Sequence, residues 1–332
     1  VPNTRSMSAA NFADWERHMS NESKKPESNG PQTGGDDVSR RKFIDRAAAL
    51  GVNTAVLASM GAGILLMVLG CTPKEAVPVS ITDASNRVVE GLKVRKPEGA
   101  GPFPTVLYFH GAGDTSWHPG QETILGGFVE QGFAAVFVDM YHGRGVNGQT
   151  VRAGALLPRA TAGDAFVAID WVRGQAWADS NKIGLFGISF GAATIMDTLV
   201  LDAPGKMPTS IMEKPAKGLS GVQGAALLSP WCSKDVMGFN LIKAVHEDFA
   251  TQVPMIAFIP QLDTASDQDL CLEILNRNKA KGASIEAVIV EGAGHSFAEA
   301  KDDYGNAIAD YDPEKAKEAW DSIYAFFQER FR

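Results

Sequence analysis

Cysteine is scarce in this chain of 332 residues. There are three, Cys71, Cys232 and Cys271, and no two have the C-x-x-C spacing of a zinc or dithiol redox site. Positive charge is also in deficit: 31 Lys and Arg stand against 39 Asp and Glu, for a formal net charge of −8. So acidic a chain has no electrostatic footprint for nucleic acid. The acidic residues are scattered rather than run together, and solubility accounts for them. No G-x-G-x-x-G opens directly off a predicted strand, which removes the dinucleotide fingerprint. No internal repeat divides the sequence. Histidine numbers only six, so any imidazole chemistry has few candidates.

What is present begins with a leader unlike the rest. Residues 1–38 are rich in Ser, Asn, Gly, Pro and charge. Such a stretch buries too little apolar surface to offset its ordering entropy and is expected to be disordered. Residues 39–71 follow as a signal or membrane segment with one hydrophobic helix. Ser39-Arg40-Arg41-Lys42-Phe43-Ile44 resembles a twin-arginine export signal. From Ala47 to Gly70 no residue is charged, and about 20 apolar residues suffice to cross a bilayer core. Positive charge on the N-terminal side alone keeps that end cytoplasmic and directs the remainder outward. Val68-Leu69-Gly70-Cys71 resembles a bacterial lipoprotein box with Cys71 as the lipidated residue, although Leu69 stands where a small residue is usual. Lipoprotein, uncleaved anchor through residues 47–71 and simple cleaved signal all stay open. The expected partner is the twin-arginine export machinery, and the expected location is beyond the bacterial inner membrane, periplasmic or otherwise extracytoplasmic. These residues are set aside from fold reasoning.

Residues 77–332 read as one folded domain. Strands are expected at Val88–Val94, Pro104–Phe109, Ala134–Asp139, Lys182–Gly187, Val222–Leu228, Met255–Ile259 and Ile285–Val290. Helices are expected near Glu122–Gln131, 162–176, Ala192–Leu201, Asp269–Lys279 and Pro313–Phe331. Continuously apolar strands alternating with helices argue an α/β architecture, a mostly parallel central sheet covered by helices on both faces. Cys232 and Cys271 are expected as two buried free thiols, with pairing as the alternative in an exported domain.

Gly187-Ile188-Ser189-Phe190-Gly191 lies between a predicted strand and a predicted helix, the context of a nucleophile elbow. The turn exposes the Ser189 hydroxyl at the strand's C-terminal end, and the Phe190 N–H at the helix N-terminus can face a developing oxyanion. A serine hydroxyl needs a base. His295, in Gly292-Ala293-Gly294-His295-Ser296-Phe297 after the last predicted strand, has the right place in chain order. The orienting acid should lie after the penultimate strand, where Asp263 is the first choice and Asp267 the alternative; either can instead cap a helix. The second oxyanion donor is expected from His110-Gly111-Ala112-Gly113-Asp114, with the Ala112 N–H preferred and Gly111 next. His110 itself is expected to be structural. Trp117, Tyr141, His142 and Trp231 follow strand ends and are candidate pocket walls.

With these pieces in order, residues from about 80 to 332 resemble the dienelactone hydrolase-like branch of the α/β-hydrolases. The resemblance is carried by Tyr108-Phe109-His110-Gly111, the elbow at Ser189, Leu262-Asp263, and Gly294-His295-Ser296-Phe297 followed by Tyr311-Asp312-Pro313. It implies an α/β-hydrolase fold with minimal or no cap, and hydrolysis of esters or lactones without metal or organic cofactor. One departure matters: dienelactone hydrolases proper carry Cys where this chain has Ser189, which points away from dienelactone and toward general carboxylesters. Two other functions stay open: a peptidase or acyltransferase on the same triad, and a membrane-tethered non-catalytic subunit that uses the fold as a scaffold.

Overall fold

The computed structural model describes residues 77–232, 247–250 and 253–332. The leader, the twin-arginine-like segment and Cys71 lie outside the described residues. Among those described, no helix is long and apolar enough to cross a membrane.

Seven strands form one sheet. They are β1 (Lys93–Arg95), β2 (Phe103–Phe109), β3 (Ala134–Val138), β4 (Ala178–Ile188), β5 (Val222–Leu228), β6 (Met255–Pro260) and β7 (Ile285–Val290). Their order is β1-β3-β2-β4-β5-β6-β7. Only β1 runs antiparallel, against β3; every other pairing is parallel. The chain passes from β2 to β3 on one side and returns to place β4 on the other side of β2. The resulting crevice between β2 and β4 is the switch point where ligands bind in open α/β sheets.

Among the described residues there are seven helices: α1 (Ile81–Gly91), α2 (Pro119–Glu130), α3 (Gly148–Arg152), α4 (Pro158–Arg173), α5 (Phe190–Leu201), α6 (Gln268–Ala280) and α7 (Pro313–Arg330). Side-chain alternation splits the core in two. Leu107 and Phe109 of β2 join Leu185, Ala225 and Leu227 beneath α1, α4, α5 and α6. Val106 and Tyr108 join Phe137, Phe186 and Leu228 beneath α2 and α7. The α5 helix, which begins directly after Ser189, is buried at every residue from Phe190 to Leu201. That matches its nearly unbroken apolar sequence, since a helix apolar all round belongs inside.

Two expectations are corrected. The stretch predicted as a strand over Val88–Val94 is mostly helix: α1 occupies Ile81–Gly91, and only Lys93–Arg95 is strand. Its apolar residues follow the helical period, with Ala84, Val88 and Gly91 buried, and the Ser80 hydroxyl caps it by accepting from the Asp83 N–H at 3.1 Å. Arg87 on the same helix pairs at 2.7 Å with Asp164, a fully buried carboxylate that also binds Arg144. The second correction concerns Cys232 and Cys271. They are fully buried, as expected, but they form a disulfide, with Cα atoms 5.5 Å apart. The Cys232 N–H donates to Ser266 Oγ at 2.8 Å and the Asp267 N–H to the Cys232 carbonyl at 2.8 Å. Those two bonds lay the chain after β5 against the start of α6, where Cys271 sits.

Candidate active site

Ser189 stands at the end of β4 with φ +51° and ψ −111°, a conformation a non-glycine residue adopts only under constraint. The constraint is visible. A Cβ at Gly187 would lie 2.6 Å from the Ala192 nitrogen, and one at Gly191 would lie 2.0 Å from the Phe109 carbonyl oxygen. Only glycines let β4, α5 and β2 approach this closely. The Ser189 N–H donates to the Leu228 carbonyl at 3.0 Å, and its own carbonyl accepts from the Trp231 N–H at 3.2 Å.

His295 Nε2 lies 2.9 Å from Ser189 Oγ, and His295 Nδ1 lies 2.6 Å from Asp263 Oδ2. The carboxylate sets the tautomer: Nδ1 carries the proton and donates it to Asp263, leaving Nε2 to accept the serine O–H. Asp263 is fully buried and held by its other oxygen, which accepts the N–H groups of Ala265 at 2.7 Å and Ser266 at 3.1 Å. The loops bearing acid and base are tied together by backbone, Gln261 N–H to the Val290 carbonyl and Leu262 N–H to the Ala293 carbonyl. Asp267, the alternative acid, instead caps α6 by accepting the Leu270 N–H.

The loop after β2 presents its N–H groups through what its carbonyls do. The Gly111 carbonyl accepts from His110 Nδ1 at 2.7 Å, and the Tyr141 hydroxyl reaches the Gly113 carbonyl at 3.3 Å. Arg152 holds the Ala112 carbonyl. In a planar trans peptide the N–H opposes the C=O, so the Ala112 N–H points away from the imidazole that holds the Gly111 carbonyl. As the first residue of α5, Phe190 has an N–H with no intrahelical acceptor. His110 is structural: it is fully buried, burial lowers its pKa, and Nε2 accepts the Met140 N–H at 3.1 Å.

The cavity above Ser189 measures about 620 Å³. Gly111, Ala112, Ser189, Trp231 and His295 line it, together with a rim from Glu299 to Tyr304. Three predicted wall residues are not brought there. Trp117 packs edge-on against Phe137 with Lys93 above its ring, and His142 turns toward Glu90 of α1. Tyr141 is buried behind the loop that its hydroxyl holds. For His142 the reason is topological: β3 lies on the far side of β2 from the crevice, and the chain after it turns His142 to α1.

Sequence reasoning missed the residues that fasten the site. Ser229, also at positive φ (+47°), donates its hydroxyl to the His295 carbonyl at 2.7 Å. Asp303 bridges the two loops over the cavity, accepting the Thr115 N–H at 3.0 Å and facing His118 Nε2 at 3.2 Å. The Asp303 carboxylate also closes on Gly113, where an added Cβ would lie 2.7 Å from Oδ1. No spacing signal joins Asp303 to residue 115 across 188 positions.

Comparison with known proteins divides the domain at its middle. The family model of the X-Pro dipeptidyl-peptidases (S15 family) matches residues 91–215, and that of the dienelactone hydrolase family matches residues 216–331. The first stretch carries the loop after β2 and Ser189, the second Asp263 and His295. Among solved structures, Thermogutta terrifontis esterase 2 phosphorylated by paraoxon superposes with a TM-score of 0.56 at 22% identity, covering 72% of this chain and 88% of its own. The propionate-bound form of that esterase gives 0.52 at 20% identity, with the same coverage of 72% and 88%. This chain has the α/β-hydrolase fold. Within it, the α/β-hydrolase sheet begins at the antiparallel β1 and ends at β7. A curated relative, an uncharacterized 31.7 kDa protein of the traX-finO intergenic region in Escherichia coli, is 28% identical over 131 residues. That match covers 37% of this chain and 42% of the relative, less than half its length.

Proposed function

We propose that this protein is a serine hydrolase of carboxylic esters or lactones. The observation that carries the reading is the continuous hydrogen-bonded chain Ser189–His295–Asp263 at the floor of a cavity. His295 Nε2 takes the Ser189 proton as Oγ bonds to the ester carbonyl carbon. The carbonyl oxygen becomes an oxyanion beside the N–H groups of Phe190 and Ala112. Collapse breaks the bond to the alkoxide, which receives the proton from His295 and leaves. Water, deprotonated by the same imidazole, then cleaves the acyl-enzyme and regenerates Ser189. No step needs a metal or organic cofactor. The esterase and dienelactone hydrolase likenesses support an ester or lactone as substrate.

Purified protein is expected to hydrolyse p-nitrophenyl propionate and to be labelled by a fluorophosphonate probe. Ser189→Ala should lower turnover by about 10³-fold or more and abolish labelling. Turnover unchanged in the variant would end the proposal. The S15 match over residues 91–215 favours a second reading, cleavage of peptides on the same residues. A panel of esters, lactones and dipeptidyl amides separates the two. We further propose export to an extracytoplasmic compartment, as a lipoprotein at Cys71, through an uncleaved anchor or after simple cleavage of the signal. The buried Cys232–Cys271 disulfide supports it, because such bonds persist in oxidising compartments. Intact mass of the protein recovered from its native membrane fraction tests cleavage and lipidation together.

A further inference from the structure

Four carboxylates ring the cavity, and three have partners within the protein. Asp114 accepts from Arg152 Nη2 at 2.7 Å and from the Tyr304 hydroxyl at 3.1 Å. Asp302 accepts the N–H groups of Tyr304 at 3.0 Å and Asn306 at 2.8 Å, and Asn306 Nδ2 at 3.0 Å. Asp303 is the clamp described above. Glu299 is the fourth. It is half-buried and lines the same cavity as Ser189 and His295, one helical turn beyond His295 in sequence. Among the described residues, nothing donates a hydrogen bond to its carboxylate.

Several ionisable groups face Glu299. His295 and Asp303 belong to the same loop region, and Tyr108 reaches it from β2. The Tyr108 hydroxyl donates to Gln121, and so is not available to Glu299. His118 also lines the cavity; its Nδ1 accepts the Gly120 N–H, and its Nε2 lies 2.9 Å from Gln121 Nε2 and 3.2 Å from Asp303 Oδ1. Lys301, two residues along, lines the rim and is exposed, and no ion pair joins it to Glu299. Burial raises the Glu299 carboxyl to about 6, with Asp303 adding to the rise and His295 opposing it. Near neutral pH the group is an anion partly withdrawn from water and unpaired. That arrangement destabilises a protein unless a ligand completes it.

We propose that Glu299 is the anionic subsite of this cavity and selects, among ester substrates of Ser189, those that carry a cationic group. The selection rests on the ester reading above; the binding does not. A cation seated against Glu299 gains an attraction strengthened by the low-dielectric wall, whereas a carboxylate-bearing ester is repelled.

The test uses acetylthiocholine and its neutral isostere 3,3-dimethylbutyl thioacetate, which differ in charge but hardly in shape. At pH 8 the wild-type protein should favour the cation in kcat/KM by about tenfold, the scale of one partly screened ion pair. In Glu299→Gln the ratio should fall to about one. The wild-type preference should also fade as pH drops through about 6, while the ratio in the variant stays flat. An equal ratio in both proteins overturns the proposal, as does a variant that loses both substrates alike. A binding measurement stands apart from turnover. Choline titrated calorimetrically into Ser189→Ala protein should bind, and the affinity should be lost in the Ser189→Ala, Glu299→Gln double variant. No binding to the single variant overturns the subsite. If the wild type cleaves neither thioester, the ester reading fails, and the choline titration alone decides the role of Glu299.

Discussion

On the floor of the cavity, Ser189, His295 and Asp263 stand at strand ends and are held largely by backbone hydrogen bonds to neighbouring strands and loops. On the rim, the loop after β2 and the loop from Glu299 to Asn306 are held by side chains reaching across to one another. A floor of this kind is as rigid as the sheet. A rim of this kind is only as firm as a few polar contacts, most of them exposed to water, where each contributes little. Geometry that must not vary therefore sits below, and geometry that can be retuned for a substrate sits above.

The sharpest way to probe the floor is Asp263→Asn. It keeps the shape but no longer sets the His295 tautomer, so kcat for p-nitrophenyl propionate should fall by about 10³- to 10⁴-fold with little change in melting temperature. A loss under tenfold would mean that the acid has another source.

The rim should yield smaller effects of a different kind. Asp303→Ala frees the Thr115 N–H and the loop that carries Ala112. Its kcat should drop by about 10- to 100-fold, in step with weaker inhibition by a trifluoromethyl ketone that mimics the oxyanion. Asp303→Asn, which can still accept the Thr115 N–H, should recover most of the loss. If only KM moved, Asp303 would be a substrate contact rather than a support for the oxyanion loop.

Smallest is the cost of Glu299 itself. Its carboxyl titrates at about 6 in the fold against an ordinary value of 4.5. Below that ordinary value it is protonated in both folded and unfolded chains, and it carries no cost. Above about 6 it is ionised in both, and the full cost of burying the charge is present. Glu299→Gln should therefore stabilise the protein by on the order of 1–2 kcal/mol at pH 8 and by nothing measurable at pH 4. Urea melts at the two pH values check the sign; destabilisation at pH 8 would show that the carboxylate has a partner.

The same division separates what the amino-acid sequence discloses from what it conceals. Ser189 announces itself because a strand, two glycines and a helix must be adjacent in sequence to make the elbow. Asp263 and His295 are found by chain order, since each must follow a particular strand. Asp303, Arg152 and Ser229 carry no such mark: each acts on a loop far away in sequence, and neither periodicity nor spacing encodes the meeting. Tyr141 and His142 mislead for a related reason, because following a strand end does not say on which side of the switch point that strand lies. The helix over Ile81–Gly91 is hidden by its valines, whose strand preference masks a helical period, and by a burial face that α4 and the turn after β3 supply. Cys232 and Cys271, separated by 39 positions, give no hint of the 5.5 Å between their Cα atoms.

The position of the base has one more consequence. His295 follows β7, the outermost strand of the sheet, in which only Ile285 is buried, Glu286 is exposed and Ile289 is 52% exposed. Ser189 instead follows a strand flanked by three others on each side. Sheets fray from their margins. Gentle heating should then part the imidazole from the hydroxyl while the middle of the molecule is still intact. Esterase activity should disappear below the temperature at which circular dichroism changes, and coincident loss of both would show that the margin is as firm as the centre.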